Sequence, residues 1–240
     1  MKKHLKRLNA PRTWAIPRKT QPWAAKPAPG PHPIDRSLPL AAVLRDVLGY
    51  ATTAREAGRI LADRVVSVDG RVVTRPKFPV GLMDVVSIST TKEHFRLLVD
   101  VRGRLRPVRT ETSAASWKLC RVENKTTVGA GKMQINLHDG RNLLLPSNAY
   151  ATGSTLKVAV PKQSVLTEYS LEPGRVVLLI GGQHVGEIAH VERIERTRNP
   201  RANVVHFREG FSTDVDKVFV IGGETPEVQL PETPILEAVG

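Results

Sequence analysis

Residues 37–89 read SLPLAAVLRDVLGYATTAREAGRILADRVVSVDGRVVTRPKFPVGLMDVVSIS, and the reading of the whole chain turns on them. Ser37 and Pro39 mark a helix start, serine as cap and proline in the first turn. Leu40, Val43, Leu44, Val47 and Leu48 then recur at helical spacing as one apolar stripe, which Gly49 ends. Thr53 with Glu56 three residues on is a capping box, and it predicts a second helix with Ala54, Ala57, Ile60 and Leu61 facing inward. Val65–Val68, Asp69-Gly70 and Arg71–Val73 read as a tight hairpin. After a proline-interrupted stretch and Gly81, Asp84–Ser89 reads as a further strand. The prediction is a helix pair followed by hairpins. Arg55 and Arg59 share a helix face, Arg45 and Arg64 lie near them, and Arg71, Arg75 and Lys77 continue the charge. A solvated face bridged by Glu56 and Asp63 would explain the helix arginines alone. An RNA surface read by shape and phosphate also explains the basic hairpin that follows.

Upstream, residues 1–36 carry a net charge of +8 and seven prolines between positions 11 and 33. Proline removes donors and blocks helix, so this segment reads as an extended arm. Its RNA-contact candidates are Lys2, Lys3, His4, Lys6, Arg7, Arg12, Arg18 and Lys19, interrupted by Trp14 and Trp23. The two indoles either pack on the protein's own modules or stack on bases, where each stacked base is worth roughly 1–3 kcal/mol.

Downstream, residues 92–164 alternate like strands over Phe95–Val101, Lys118–Val122, Gln134–Leu137 and Asn142–Leu145, with a second Asp-Gly hairpin at Asp139-Gly140. The glycine-rich loop 128–132 is not a nucleotide-binding P-loop. Thr126 stands where its first glycine belongs, and Met133 where Ser or Thr would hold magnesium. Contact of Lys132 with RNA phosphate, or a plain hairpin tip, fits better. Residues 174–221 hold strands around Gly181, Gly182 and Gly186, then Val204–Phe207 and Val218–Ile221. Arg193, Arg196, Arg198 and Arg201 cluster near Asn199-Pro200 with Glu192 and Glu195 beside them, which suggests a partly protein-contacting module. Residues 222–240 carry a net charge of −4, so this tail is expected to avoid RNA and to reach basic neighbours or stay mobile.

The chain has 240 residues, with 36 Lys+Arg against 23 Asp+Glu and a net charge of +13. Residues 1–164 carry +18 and the rest −5, which assigns a polyanionic partner to the first two-thirds. A 40% hydrophobic content suffices for packed cores. No run approaches the roughly 18 apolar residues of a membrane span, and the charged N-terminus has no apolar stretch behind it. A soluble intracellular protein is expected. The single cysteine, Cys120, excludes a disulfide framework and reads as a small core residue. The seven histidines show no helical ligand spacing. No G-x-S-x-G elbow occurs. No catalytic residue, metal, cofactor or small-molecule substrate is expected.

The stretch from Leu38 to Ser89 resembles the small RNA-binding domain named after bacterial ribosomal protein S-four. The arm segments KKHLKRLNAPRTWAIPRK and GPHPIDRSLPL, with FPVGLMDVVSI, FRLLVDVRGRL, WKLCRV, HDGRN and KVFVIG, resemble the small-subunit ribosomal protein family S-four-e of archaea and eukaryotes over roughly residues 2–222. The block GRVVLLIGGQHVGEIAHVERIER resembles the KOW motif, a small barrel of the SH3 type, with Gly182 and Gly186 as its structural glycines and Gly186 at the motif's centre. The resemblance implies a mostly β, multidomain α+β chain. Its parts would be a basic extended arm (1–36), an S-four-type domain (37–99), a central β domain (100–170), a KOW barrel (171–222) and an acidic tail (223–240). It further implies a structural ribosomal RNA binder without catalytic activity, seated at the 5′ domain of small-subunit RNA among neighbouring ribosomal proteins in the cytoplasm. The alternatives are an RNA-modifying enzyme carrying the same small domain and a transcription or translation factor. The first lacks a catalytic motif in the roughly 150 residues that remain. Stoichiometry on the small subunit separates the second.

Overall fold

The structure, a computed structural model, describes residues 4–146, 150–197 and 202–230. The arm is docked along the first module. Its two short strands, β1 (Leu5–Lys6) and β2 (Trp23–Ala24), pair antiparallel. Beyond them and a few local turns, its backbone bonds reach other segments. The Ala28 amide donates to Lys77 O at 2.8 Å, and the Leu105 amide donates to Thr13 O at 2.7 Å. Ala10, Trp14 and Ile16 enter the main core. A proline-rich segment cannot satisfy its own backbone, so it borrows partners from the surface it lies on.

The first module runs β3 (Ser37–Pro39), α1 (Leu40–Ala42) with a following π turn (Val43–Val47), α2 (Ala54–Ala62), β4 (Val66–Val68), β5 (Arg71–Val72), β6 (Pro79–Gly81), β7 (Val85–Ile88), β8 (Glu93–Val99) and β9 (Leu105–Thr110). Ser37 does not cap the first helix. It is a buried strand residue, because β3 pairs with β6, and its hydroxyl donates to Pro33 O at 2.8 Å. The Leu48 amide reaches back five residues to Val43 O. That wider turn rotates the apolar stripe, so Leu40, Val43 and Leu44 are buried while Val47 and Leu48 are half-buried. The capping box of α2 forms as expected: Glu56 N–H donates to Thr53 Oγ1 at 3.2 Å and Thr53 N–H to Glu56 Oε2 at 3.3 Å. Asp69 and Gly70 both take positive φ, 49° and 73°, as a tight two-residue hairpin requires. The sheet order is β5-β4-β7-β8-β9, so this sheet straddles residue 99 and takes in residues up to Thr110.

The central sheet holds β10 (Trp117–Thr127), β11 (Met133–Leu137), β12 (Asn142–Leu145), β13 (Thr155–Ala159) and β14 (Val165–Tyr169) in the order β12-β11-β10-β13-β14. The terminal sheet holds β15 (Val176–Leu179), β16 (Ile188–Glu195), β17 (Val204–Phe207), β18 (Ser212–Asp214) and β19 (Val218–Gly222) in the order β18-β17-β16-β15-β19. Every ladder in both is antiparallel. Val176, Val177, Leu178 and Leu179 are all buried, so β15 is covered on both faces. Among the described residues, no helix is long and apolar enough to cross a membrane.

One apolar core joins the arm, the first sheet and the terminal sheet. The central sheet has its own core of Cys120, Val122, Ile135, Leu137, Leu156 and Val158. Strand β10 is the seam. Cys120 and Val122 fill the central core, Leu119 joins the main one, and Arg121 donates from Nη1 to Asp216 O and Val218 O of the terminal module. Gly186 marks a second junction. Its φ is 82°, and a Cβ there would overlap the backbone of Asp100 and Val101 in the β8–β9 turn. Only glycine combines that conformation with that approach.

Candidate nucleic-acid interface

A side chain committed to an internal ion pair is a poor phosphate ligand, so the basic residues sort by their partners. Lys6, Arg12, Lys19, Arg55, Arg59, Arg64, Arg71, Arg75, Lys77 and Lys132 are all exposed. Among the described residues none of them takes part in an ion pair. The Glu56 carboxylate is spent on the Thr52 and Thr53 amides, so it does not bridge Arg55 and Arg59. Those amides hold its pKa below the usual carboxylate range. Trp23 is 52% exposed and His4 meets it edge-on at 5.2 Å. The exposed Leu8, Lys6 and Lys19 line the same shallow hollow.

Four expected RNA ligands are internal instead. Trp14 is 1% exposed and lies in the main core, so its ring has no open face for a base. Arg7 is equally buried, donating from Nε to Pro17 O and from Nη2 to Asp46 at 3.3 Å. Arg45 forms a two-point pair with the same Asp46. Arg18 donates to Ala10 O and Pro11 O, both at 2.7 Å, and so braces the arm's own turn. The reasons differ: the arm has no core of its own, so Trp14 and Arg7 dock it on the first module, Arg18 braces the arm's own turn, and Arg45 is held by its neighbour Asp46, which also receives Arg7. Lys2, Lys3, Arg198 and Arg201 lie outside the described residues.

Other cations escaped the sequence reading. Arg102 and Arg104 are exposed on the β8–β9 turn, and their amides donate to Asp100 Oδ1 at 2.9 and 2.8 Å. Arg106 pairs with Asp100 Oδ2, and Arg109 with Glu93. The signal was present in RGRLRPVR, residues 102–109, but strand pairing had to show that it edges the first sheet.

What holds the modules in register is a buried charge cluster. Lys118 on β10 is 1% exposed and reaches Asp69 at 3.0 Å, Asp139 at 2.9 Å, and Asp84. Asp69 and Asp139 belong to the two Asp-Gly-Arg turns, one per module, and Arg141 of the second turn pairs with both. His32 of the arm completes it, with Nε2 on Asp84. Burial disfavours the Lys118 ammonium, but Asp84 and Asp69 outweigh that and hold its pKa well above the usual lysine value. Burial likewise opposes ionisation of Asp139, yet Lys118 holds it down to about 2. Asp69 is pushed up by burial and by Asp84. Buried beside them, His138 is lowered to about 3 and stays neutral, by desolvation first and Lys118 second.

Cys120, His138 and Asp139 bring possible metal-ligand atoms within 4.8 Å of one another. Both ring nitrogens of His138 are occupied: Nδ1 accepts from the Arg121 amide at 3.1 Å and Nε2 donates to Leu82 O at 3.3 Å. Asp139 already neutralises Lys118 and Arg141. Burial pushes the Cys120 thiol pKa up, against the thiolate a metal needs. The donor set does not suit a cation. The glycine-rich tip 129–131 is a short 3₁₀ turn that leaves Lys132 exposed. The start of the acidic tail is pinned rather than free. Glu227 accepts from Lys157 Nζ at 2.8 Å and from the Tyr169 hydroxyl at 2.7 Å, and Val228 is buried.

A mostly β, multidomain α+β protein is thus defined, with unpaired cations displayed on a helix-pair module whose scaffold satisfies its own buried charge. The first module matches the S4 domain over residues 38–86, and the arm matches the RS4NT domain over residues 1–35. Residues 91–165 match Ribosomal family S4e. The chain is 43% identical to small ribosomal subunit protein eS4 of Staphylothermus marinus, over 96% of each chain. To the same-named protein of Methanocaldococcus jannaschii it is 43% identical, over 95% of this chain and 98% of that one. The crystal structure of 30S ribosomal protein S4e from Thermoplasma acidophilum superposes with a TM-score of 0.71 at 35% identity, covering 79% of this chain and 96% of that chain. The chain belongs to Ribosomal family S4e.

Proposed function

We propose that this protein is a structural constituent of the small ribosomal subunit, located with the ribosome in the cytoplasm, that binds ribosomal RNA and catalyses no reaction. The observation that carries this is the sorting of its cations. The arginines and lysines of α2, the hairpin and the β8–β9 turn stand exposed and mostly unpaired, while buried Lys118, Asp69, Asp84 and Asp139, with half-buried Arg141, are engaged in joining modules. Lys6, Arg12, Lys19, Arg55, Arg59, Arg64, Arg71, Arg75, Lys77 and Lys132 are assigned to phosphates, and Trp23 beside His4 to a base. The seat is the 5′ domain of the RNA, with neighbouring ribosomal proteins against the terminal module. That module is assigned to the KOW type, an SH3-like barrel. Its five antiparallel strands, the short 3₁₀ turn Val215–Lys217 before the last one, and the positive φ of Gly182 and Gly186 support this.

The test is binding of small-subunit RNA across a salt series. Neutralised phosphates release counterions, so affinity is expected to fall steeply with salt. The double variant Arg55→Ala/Arg59→Ala is expected to flatten the log–log slope by about one to two, at about 0.7–0.9 per phosphate. Its stability is expected to stay unchanged, because both side chains are exposed. An affinity that barely moves with salt overturns the proposal.

A further inference from the structure

A cavity of about 330 Å³ lies where the arm meets all three sheets. Ligand pockets begin at about this volume and favour such junctions. Three aromatic rings from three different segments form part of its wall: His32 of the arm, His138 of the central sheet's Asp-Gly turn and Phe219 of β19. The His32 and His138 rings lie 5.9 Å apart, and His138 meets Phe219 edge-on at 5.3 Å. Leu82 and Leu105 close much of the remainder. The wall is therefore mostly apolar and aromatic, interrupted by the Arg121–Glu123 pair, whose charges satisfy each other. The hydrogen-bonding groups of His138 are already used, and the residue lines the cavity. His32 is 7% exposed and commits Nε2 to Asp84, while its Nδ1 has no hydrogen-bond partner among the described residues.

The rim has the opposite character. Arg36 lines the cavity and is exposed, and Gly103 lines it between the exposed Arg102 and Arg104. None of these three guanidinium groups is in an ion pair among the described residues. An aromatic slot with the unpaired Arg36 on its lining is complementary to a planar ring attached to a phosphate. Proteins that read RNA take splayed-out bases in this way, against His or Phe rings. We infer that this cavity receives one unpaired base of the RNA, with an adjoining phosphate at Arg36. The inference rests on the RNA-binding reading and deepens it: the protein recognises a bulged nucleotide as well as a duplex surface. A base already unpaired enters without the cost of flipping, so bulges are favoured over continuous duplex.

The test uses the full chain and two pools of hairpin RNAs with randomised stems, one carrying a single unpaired nucleotide and one fully paired. A stacked base is expected to give the bulged pool an advantage of about tenfold or more in competition. Leu82→Phe, which fills the cavity from its wall, is expected to bring that advantage to about one while leaving affinity for the paired pool unchanged. Arg36→Ala changes an exposed side chain and leaves the core intact; it is expected to reduce the advantage several-fold. Equal binding of both pools by the unaltered protein overturns the cavity assignment and leaves the RNA reading standing. Binding of neither pool overturns both. An advantage that survives both substitutions places the preference on another surface, such as Trp23, or on a protein side chain as the cavity's natural occupant, and also overturns the assignment.

Discussion

Replacing Lys118 by methionine removes the one ammonium that three carboxylates share. The side chain is 1% exposed, and the carboxylates of Asp69, Asp84 and Asp139 around it are at most 4% exposed, so water cannot take its place. Breaking a buried ion pair from one side costs about 3–5 kcal/mol, because the remaining charge stays desolvated. Here three carboxylates remain, with Arg141 as the other cation and His32 as a hydrogen-bond partner among the described residues. Against a total stability of about 5–15 kcal/mol, the loss brings the chain close to unfolding at neutral pH. The sign of the pH dependence is also expected to change. With Lys118 present, Asp139 is held near 2, below its unfolded value, so its contribution is present above about pH 4 and is lost as pH falls through about 2. Without Lys118, unpaired buried carboxylates have folded pKa values raised above the unfolded ones, and stability is gained as pH falls from 7.5 toward 5. Urea unfolding of the full chain at both pH values measures each effect. The double variant Lys118→Met/Asp84→Asn is expected to recover part of the loss, because it removes one of the stranded charges. A Lys118→Met midpoint within about 1 kcal/mol of the unaltered protein at pH 7.5 would refute the argument that this cluster is a desolvated ion network.

Three further outcomes are expected. Trp14→Ala should cost about 3–5 kcal/mol of stability by emptying a core site, whereas Trp23→Ala should leave stability in place and weaken RNA binding by roughly 1–3 kcal/mol; thermal melts beside RNA titrations separate the two. Gly186→Ala should destabilise the contact between the terminal module and the Asp100 turn and raise protease cleavage around residues 100–104, since both its φ of 82° and the Asp100 backbone oppose a Cβ; an unchanged cleavage pattern and midpoint would count against that junction. His138 is held down to about 3 in the folded chain, below the ordinary histidine value, so its share of stability is present above about pH 6.5 and declines as pH falls toward 3, by up to about 1.4 kcal/mol per pH unit. His138→Gln should flatten that part of the stability profile, as read from denaturation at stepped pH.

Much of the local structure was legible because its causes are local. The Thr53–Glu56 box, the Asp69-Gly70 turn and strands such as Asn142–Leu145 and Val204–Phe207 depend on residues within a few positions of one another. The first helix was less legible. Ser37 has the chemistry of a cap, but pairing with Pro79–Gly81, forty residues away, gives its backbone a better use. The exposed arginines of α2 and the hairpin were readable from charge and periodicity, whereas Arg7 and Trp14 look the same in one dimension and turn inward only because the arm needs them to dock, and Arg18 and Arg45 are taken up by arm carbonyls and by Asp46.

The sequence by itself determined where the positive charge lies, which segments form helices and hairpins, and that the arm has no core of its own, since these follow from composition, period and turn chemistry. Only the tertiary structure decided which cations face solvent and which neutralise buried aspartates. The lysine in WKLCRV has the same formal charge as the lysine at position 77. One lies against the carboxylates of two Asp-Gly turns and one lies in water, and that difference is set by strand pairing across distances the local sequence does not encode.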